Sequence, residues 1–163
     1  MRTWRERPTE VANLFNPAFS ARLLGHAARG FAGVRNAGLP WLFAFLVVPL
    51  VLHKPTRDVA PKTKAAKFQT WAEKNPAILI GFADRARNMV PHVREGIIFG
   101  ISSGLLEWRE DASLRSGSAL RNNGPQIDSD EVKDCLRKAR TMGSVLANAG
   151  AEHTAFALLG VRG

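Results

Sequence analysis

The sequence predicts a mainly α-helical protein that folds as one compact domain. Apolar residues recur at spacings of three and four along most of the chain, which is the pattern of amphipathic helices. The 163 residues are 45% apolar and 23% charged, a balance typical of a globular domain with a single core. After Gly104, a charged stretch between two short segments adds one β-hairpin to this prediction.

The first helix is predicted to begin at Asn16-Pro17, because asparagine supplies a capping oxygen and proline suits the first helical position. Its apolar face comprises Phe15, Phe19, Leu23, Ala27, Phe31 and Val34. Residues 39–52 are apolar on every side, so periodicity does not separate a helix from a buried strand. We favour a buried helix that kinks or ends near Pro49, followed by a basic loop over residues 53–61.

Three further helices are expected in the middle of the chain. The inner face of the first comprises Phe68, Trp71 and Ala72, with Thr63 as its candidate cap. Asn75-Pro76 repeats the helix start signal, and Pro91 is expected to end or kink that helix at Val90, because proline disfavours helical geometry in the residue before it. An apolar helix over residues 91–103 then stops at Gly104.

The predicted hairpin pairs residues 105–110 with Ser118–Asn122 across a charged tip. Helices followed by such a hairpin are similar to the later part of a winged helix, in which the helix before the wing reads DNA through polar and basic side chains. Here that helix offers His92, Arg94 and Glu95 near its start, and its remainder, IIFGISS, looks buried. Direct base reading is therefore disfavoured. The candidates for phosphate contact around this winged-helix-like hairpin are Arg109, Arg115 and Arg121.

The clearest helix begins in the capping-box pattern of residues 128–131. Its apolar stripe comprises Val132, Cys135, Leu136, Ala139, Met142, Leu146 and Ala149, and Gly150 takes the place of a C-terminal cap. Residues 154–161 are expected to dock on the core as a helical turn or a strand. The chain is thus divided into an N-terminal arm (1–14), a helical core (15–104), a hairpin with its loop (105–126) and a C-terminal helix with its tail (127–163).

The net charge of +9 favours an anionic partner or an acidic protein surface. The excess belongs to the first hundred residues, because residues 101–163 hold eight basic and eight acidic side chains. The single cysteine, Cys135, excludes an intramolecular disulfide and a thiolate metal cluster and fits a reducing cytoplasm. The N-terminus carries no apolar signal core, and the longest apolar run falls short of the roughly 20 residues that a membrane span needs. We therefore expect a cytoplasmic protein without membrane contact.

The sequence carries no strong catalytic motif. Phosphate-loop and dinucleotide-binding glycine patterns are missing, as are histidine pairs at metal-ligand spacing and a serine nucleophile elbow. Cys135 lies on an apolar helical stripe, where it is expected to be a buried small hydrophobe. Asp84, His92 and Glu95 would suggest a hydrolase or nuclease only if they met in an open cleft. We predict that the protein is not an enzyme and uses no metal or other cofactor.

Four blocks of sequence, in order along nearly the whole chain, resemble the middle component of prokaryotic three-component ABC systems. The first block is WRERP (4–8) with residues 10–19, and the second is LPW (39–41) with residues 45–57. The third consists of four short motifs within residues 81–96, namely GFA, RA, VP and REG, and the last is LGVR (159–162). The resemblance implies a non-enzymatic accessory subunit that attaches to an SMC-like ABC ATPase and works with an effector subunit. Such systems are associated with bacterial defence against phage or plasmids.

Two sets of residues are candidates for contact with other molecules. The candidate partner-binding residues are Trp4, Arg5, Arg7, His53 and Thr56, and the candidate nucleic-acid contacts are Lys54, Arg57, Arg109, Arg115 and Arg121. An aromatic side chain in a basic arm suits an interface anchor, but a terminal residue tucked onto its own domain fits Trp4 equally well. Residues 46–57 are likewise either a docking edge or a buried helix that ends in a solvated basic loop.

The leading hypothesis is an adaptor that bridges the ATPase to an effector, with a DNA contact through phosphates left open. The alternative is a winged-helix DNA-binding transcriptional regulator, which would bind DNA in a salt-sensitive way.

Overall fold

The computed structural model describes residues 16–122 and 129–162, and this part of the chain is mainly helical with one small antiparallel sheet. The helices are α1 (Pro17–Arg35), α2 (Ala44–Leu52), α3 (Lys54–Asp58), α4 (Phe68–Lys74), α5 (Phe82–Ser103), α6 (Ser118–Asn122), α7 (Asp130–Leu146) and α8 (Glu152–Leu158). The strands are β1 (Leu39–Pro40), β2 (Leu106–Trp108) and β3 (Ser113–Ser116), and short 3-10 turns cover Trp41–Phe43 and Pro76–Leu79. The predicted fold class, a mainly α single domain with one β-hairpin, is confirmed.

Helix α1 begins where its sequence predicts. The Asn16 side chain accepts a hydrogen bond from the Ala18 amide at 2.8 Å. Pro17 lies in the first turn, where its missing N–H has no helical partner. The helix ends at Asn36, which adopts a left-handed backbone with φ 50°. Because α1 packs against α5, α7 and β3, it is the central element of the core.

Glycines allow α1 and α7 to cross closely. The backbone at Gly30 lies against the Arg140 carbonyl, and Gly143 lies against the Ala27 carbonyl, so a Cβ at either glycine would overlap backbone atoms. The Ser144 hydroxyl donates a hydrogen bond to the Gly30 carbonyl at 3.0 Å across the same crossing. The two helices therefore touch through their main chains as well as through side chains.

The sheet has the strand order β1-β3-β2, so the last strand in the sequence lies in the middle. Leu114 of β3 is opposite Leu39 on one side and Trp108 on the other. Leu39, Leu106 and Leu114 are almost fully buried. The sheet thus closes one end of the helical core.

The predicted pairing of residues 105–110 with Ser118–Asn122 is wrong. β2 pairs instead with β3, through a four-residue connection in which the Arg109 amide donates to the Ser113 carbonyl at 2.9 Å. This register buries Leu114 between two strands, whereas Ser118–Asn122 forms the short helix α6. β3 is thus the central strand, and its Leu114 belongs to the main core.

Residues 39–61 confirm one expectation and correct another. The favoured buried helix is present as α2, which continues through Pro49 and ends at Leu52, although strand β1 and a 3-10 turn precede it. The expected basic loop contains the helix α3, with Pro55 in its first turn, where proline is tolerated.

Helix α5 is continuous across Pro91, so the prediction that proline ends the helix there is wrong. Pro91 is exposed and, lacking an N–H, cannot bond the Arg87 carbonyl four residues back. Met89 and Val93 on either side are buried in the main core, so both halves of the helix pack against it. Gly104 ends the helix as predicted, with a left-handed φ of 77°.

The remaining helices match their predictions with shifted ends. The predicted inner face of α4, which comprises Phe68, Trp71 and Ala72, is buried, although the cap position is Lys67 rather than Thr63. The Ser129 hydroxyl caps α7 by accepting a hydrogen bond from the Val132 amide at 3.2 Å. α7 ends before Gly150, which turns the chain towards α8 with φ 81°. Among the described residues, no helix is both long and apolar enough to span a bilayer.

Candidate partner-docking surface

The second half of α5 presents apolar side chains to solvent. Ile98 is 65% exposed, and Phe99 and Ile101 are 41% and 40% exposed. We call these three residues the α5 patch. The prediction that IIFGISS is buried is wrong for them, because it is Ile97 and Gly100 that face the core. Consecutive helical residues point about 100° apart, so the run Ile97, Ile98, Phe99 has more apolar side chains than one buried face accepts.

A second apolar surface lies between the first half of α5 and the end of the chain. It is a groove of about 200 Å³ whose lining includes Leu42, Phe45, Val90 and Phe156, with Arg87 and Arg162. We call it the C-terminal groove. Its walls come from the segment that leads into α2, from α5, and from α8 with the tail. These parts are distant in sequence, so the groove exists only in the folded chain.

A glycine turn places the tail beside the groove. Gly160 adopts φ 71° directly after α8, and the Val161 amide donates to the Phe156 carbonyl at 2.9 Å. This hydrogen bond satisfies a carbonyl at the helix end and folds the tail back, as in a Schellman-type cap. Val161 and Arg162 therefore lie against the groove.

Trp41 connects the C-terminal groove to the hairpin. Its ring meets Phe45 edge-on, with the ring centres 5.6 Å apart, and lies 6.4 Å from the ring of Trp108. Trp108 is 48% exposed. It also lines a wide, open hollow of about 640 Å³ beside the hairpin arginines Arg109 and Arg115. A continuous aromatic edge thus runs from the groove to the hairpin.

Arg57, a candidate nucleic-acid contact, is buried in the structure. It is 3% exposed, and its Nη1 donates to the Val51 carbonyl at 2.9 Å. Its Nη2 bonds Glu131 at 2.9 Å, and its Nε lies 3.3 Å from Asp134. The guanidinium therefore joins the end of α2 to the start of α7. A phosphate has no access to it in this conformation.

His53 and Thr56, two candidate partner contacts, bind one another. The His53 Nδ1 and the Thr56 hydroxyl are 2.8 Å apart at the start of α3, and Thr56 is buried. Burial, and to a lesser degree the positive charge of Arg85, lower the pKa of His53 below its ordinary value of 6.5. This pair holds the α2–α3 corner, and His53 is its half-buried member.

The lowered pKa of His53 predicts a pH-dependent stability. Because the unfolded chain binds this proton more readily than the folded protein, protonation favours unfolding as the pH falls below 6.5. Urea unfolding at pH 7.5, 6.5 and 5.5 is expected to show a larger loss of stability in the wild type than in His53→Asn, where asparagine still suits the helix cap. Parallel pH profiles for the two proteins would contradict this prediction.

The other candidate contacts lie on different elements. Lys54 is exposed on α3 and pairs with Asp58 at 2.9 Å, and this hydrogen bond lowers the pKa of Asp58. Arg109 and Arg115 share the hollow beside the hairpin, which Glu110 and Asp111 also line. The candidates that lie outside the described residues are Trp4, Arg5 and Arg7, and the side chain of Arg121 is likewise outside them.

The three polar residues that would have suggested a hydrolase do not meet in a cleft. Asp84 is exposed and pairs with Arg87 at 3.0 Å. It lies eight residues before His92 on α5, which corresponds to roughly 12 Å along the helix axis. Cys135 is buried as predicted, and burial raises the pKa of its thiol. Among the described residues, no group of three or more His, Cys, Asp or Glu side chains is arranged to hold a metal ion.

Sequence similarity over almost the entire chain decides the family. A family model described as ABC-three component (ABC-3C) system Middle Component 3 matches residues 4–163. The chain belongs to the Middle Component 3 family. No curated protein and no solved structure matches it. Membership makes this middle component an accessory part of a multi-component ABC system and implies partner subunits.

The blocks that carry the resemblance meet at the C-terminal groove of this middle component. Phe45 belongs to the second block, Val90 to the third and Arg162 to the last. Sequence reasoning missed the groove, because its walls come together only through the packing of α2, α5 and α8. It also missed the α5 patch, although the excess of consecutive apolar residues was a signal for it.

Proposed function

We propose that this chain is a non-enzymatic adaptor that attaches to the SMC-like ABC ATPase of its system and bridges it to an effector. In this proposal the complex acts in the cytoplasm in defence against phage or plasmids. The adaptor contributes binding surface and positions its partners, and the chemistry belongs to the other subunits. Membership in the Middle Component 3 family supports the accessory role.

The observation that carries the attachment proposal is the α5 patch. Single exposed apolar residues are normal on protein surfaces, whereas adjacent ones mark interaction sites. Ile98, Phe99 and Ile101 lie within about one helical turn, and all three are substantially exposed. Covering them removes apolar area from water, so a complex held by this patch persists at high salt.

The alternative, a winged-helix DNA-binding regulator, has support in the topology. A long helix is followed directly by a hairpin, and the strand order β1-β3-β2 joins that hairpin to a strand near the start of the domain. Arg109 and Arg115 beside the hairpin suit phosphate contact, together with Lys54 on α3. Base reading by α5 is disfavoured, because the large exposed side chains of its second half are mostly those of the apolar α5 patch, where polar side chains are required.

Co-purification tests the adaptor proposal. The tagged chain is expected to recover the ATPase encoded beside it at both low and high salt. The double variant Ile98→Asp/Ile101→Asp is expected to lower this recovery at least about tenfold, because it places charges in a buried apolar contact. The matched control is Val59→Asp/Ile80→Asp, which changes two exposed apolar residues outside the patch.

One outcome would overturn the docking surface and another the adaptor role itself. Equal recovery of the ATPase by the patch variant and the control would show that the α5 patch is not the contact with the ATPase. A lone chain that carries nucleic acid only at low salt would favour the DNA-binding regulator, since phosphate contacts weaken steeply with salt.

A further inference from the structure

We propose that the C-terminal groove binds a partner segment that inserts one large apolar side chain and carries carboxylates on its flanks. This inference rests on the proposed function, because it supposes that the chain has a protein partner, and it specifies the chemistry of one contact. The site is distinct from the α5 patch.

The size of the groove favours a side chain as its occupant. Pockets for small molecules usually enclose about 300–1,000 Å³, whereas this groove has a volume of about 200 Å³. Leu42 is 40% exposed at its edge, and Phe45 and Phe156 are half-buried. A single phenylalanine, leucine or methionine inserted among them would bury its surface and theirs, which is how anchor residues stabilise an interface.

The charge of the rim favours an acidic segment. The charged residues that line the groove are Arg87 and Arg162, and both are exposed arginines. Arg87 is paired with Asp84 at 3.0 Å, but both side chains are largely in water, so this pair contributes little and exchanges readily with a partner carboxylate. An arginine fork binds a carboxylate through two hydrogen bonds. The net charge of +9 adds long-range attraction for an acidic segment.

The same charges disfavour the other occupants. A second copy of this chain would bring its own excess of positive charge to a rim that already holds two arginines. The N-terminal arm would bring the basic cluster around Trp4 to the same rim. Like charges that are brought together at an interface oppose binding.

A labelled peptide tests the inference on the full chain. The peptide has one central phenylalanine between two glutamates on each side, and the comparison peptide has lysines in place of the glutamates. The acidic peptide is expected to bind about tenfold more tightly in fluorescence polarisation at low salt. Arg87→Glu/Arg162→Glu is expected to abolish this preference, and Leu42→Asp is expected to weaken binding of the acidic peptide.

The matched control for the charge change is Lys133→Glu/Arg140→Glu, which makes the same alteration at two exposed positions on α7. It is expected to retain the preference for the acidic peptide. The inference is overturned if the acidic peptide shows no binding at roughly 1 mM, if it binds no better than the lysine peptide, or if the preference survives Arg87→Glu/Arg162→Glu. A concentration-dependent dimer that Leu42→Asp abolishes would assign the groove to a second copy and would also overturn it.

The co-purification of subunits separates the two proposals. If the ATPase is recovered but the acidic peptide binds no better than the lysine peptide, the groove inference is rejected and the adaptor role remains supported. If the acidic peptide binds better but no subunit is recovered, the adaptor role is rejected and the proposed chemistry of the groove remains supported.

Discussion

Gly30→Ala is expected to lower the free energy of unfolding by about 3 kcal/mol, because the added methyl group has no room. A Cβ on Gly30 would overlap the carbonyl of Arg140, and a backbone atom cannot rotate away as a side chain does. The two helices would have to separate. That separation would loosen the Ser144 hydrogen bond to Gly30 and the apolar contacts along the whole crossing of α1 and α7.

Gly33→Ala is the matched control on the same helix. No atom lies within 4 Å of a Cβ built on Gly33, and the residue is exposed. Alanine favours a helix over glycine, so this substitution is expected to raise the free energy of unfolding by up to about 1 kcal/mol. Urea unfolding of the two variants measures both effects. Effects of the same sign and size would show that helix propensity, rather than the close crossing, governs both positions.

Arg57→Met is expected to lower the free energy of unfolding by about 2–3 kcal/mol. Methionine fills much of the same volume but donates no hydrogen bond, so the buried carbonyl of Val51 loses its partner. The link from this corner to Glu131 and Asp134 at the start of α7 is lost as well. Because both carboxylates are more exposed than Arg57, they regain water, and the loss falls mainly on the Val51 carbonyl.

Arg137→Met is the matched control, since Arg137 also pairs with Asp134. The Arg137 side chain is 72% exposed, and a surface ion pair of this kind is worth roughly 0–1 kcal/mol. Urea unfolding is expected to separate the two variants clearly. A similar, small effect of both substitutions would mean that the buried guanidinium of Arg57 gains no more from its partners than a surface arginine does.

Local signals in the sequence predicted the helices that carry their own start and stop signals. Asn16 caps α1, Gly104 ends α5, and the apolar stripe of α7 is buried around Cys135 and Ala139. These features depend on interactions within a few residues, such as a capping hydrogen bond or a left-handed glycine. Asn75-Pro76 repeats the Asn-Pro signal but begins only a 3-10 turn, because the Asn75 side chain donates to the Trp71 carbonyl instead of capping, and α5 starts later, at Phe82.

Predictions failed where distant contacts outweigh local preference. Pro91 disfavours a helix locally, but buried residues on both sides of it pack α5 against α1 and α2 as one continuous helix. The hairpin partner is β3, which also pairs with β1, and no local signal in residues 105–122 reveals that β1 lies alongside. The α5 patch is exposed for a related reason. The second half of α5 is apolar on several faces, and only one of these faces can pack against the core.

The candidate site likewise has features that the sequence predicts and features that depend on tertiary packing. The amino-acid sequence by itself determined the family, the helical class, the excess of positive charge and the burial of Cys135, because these follow from composition, periodicity and the order of motifs. The tertiary structure alone decided that Arg57 is buried between α2 and α7, that the α5 patch faces solvent, and that Phe45, Val90 and Arg162 line one groove. The physical reason is that burial and proximity depend on how elements distant in sequence pack together, and such packing minimises the free energy of the whole core rather than of any one segment.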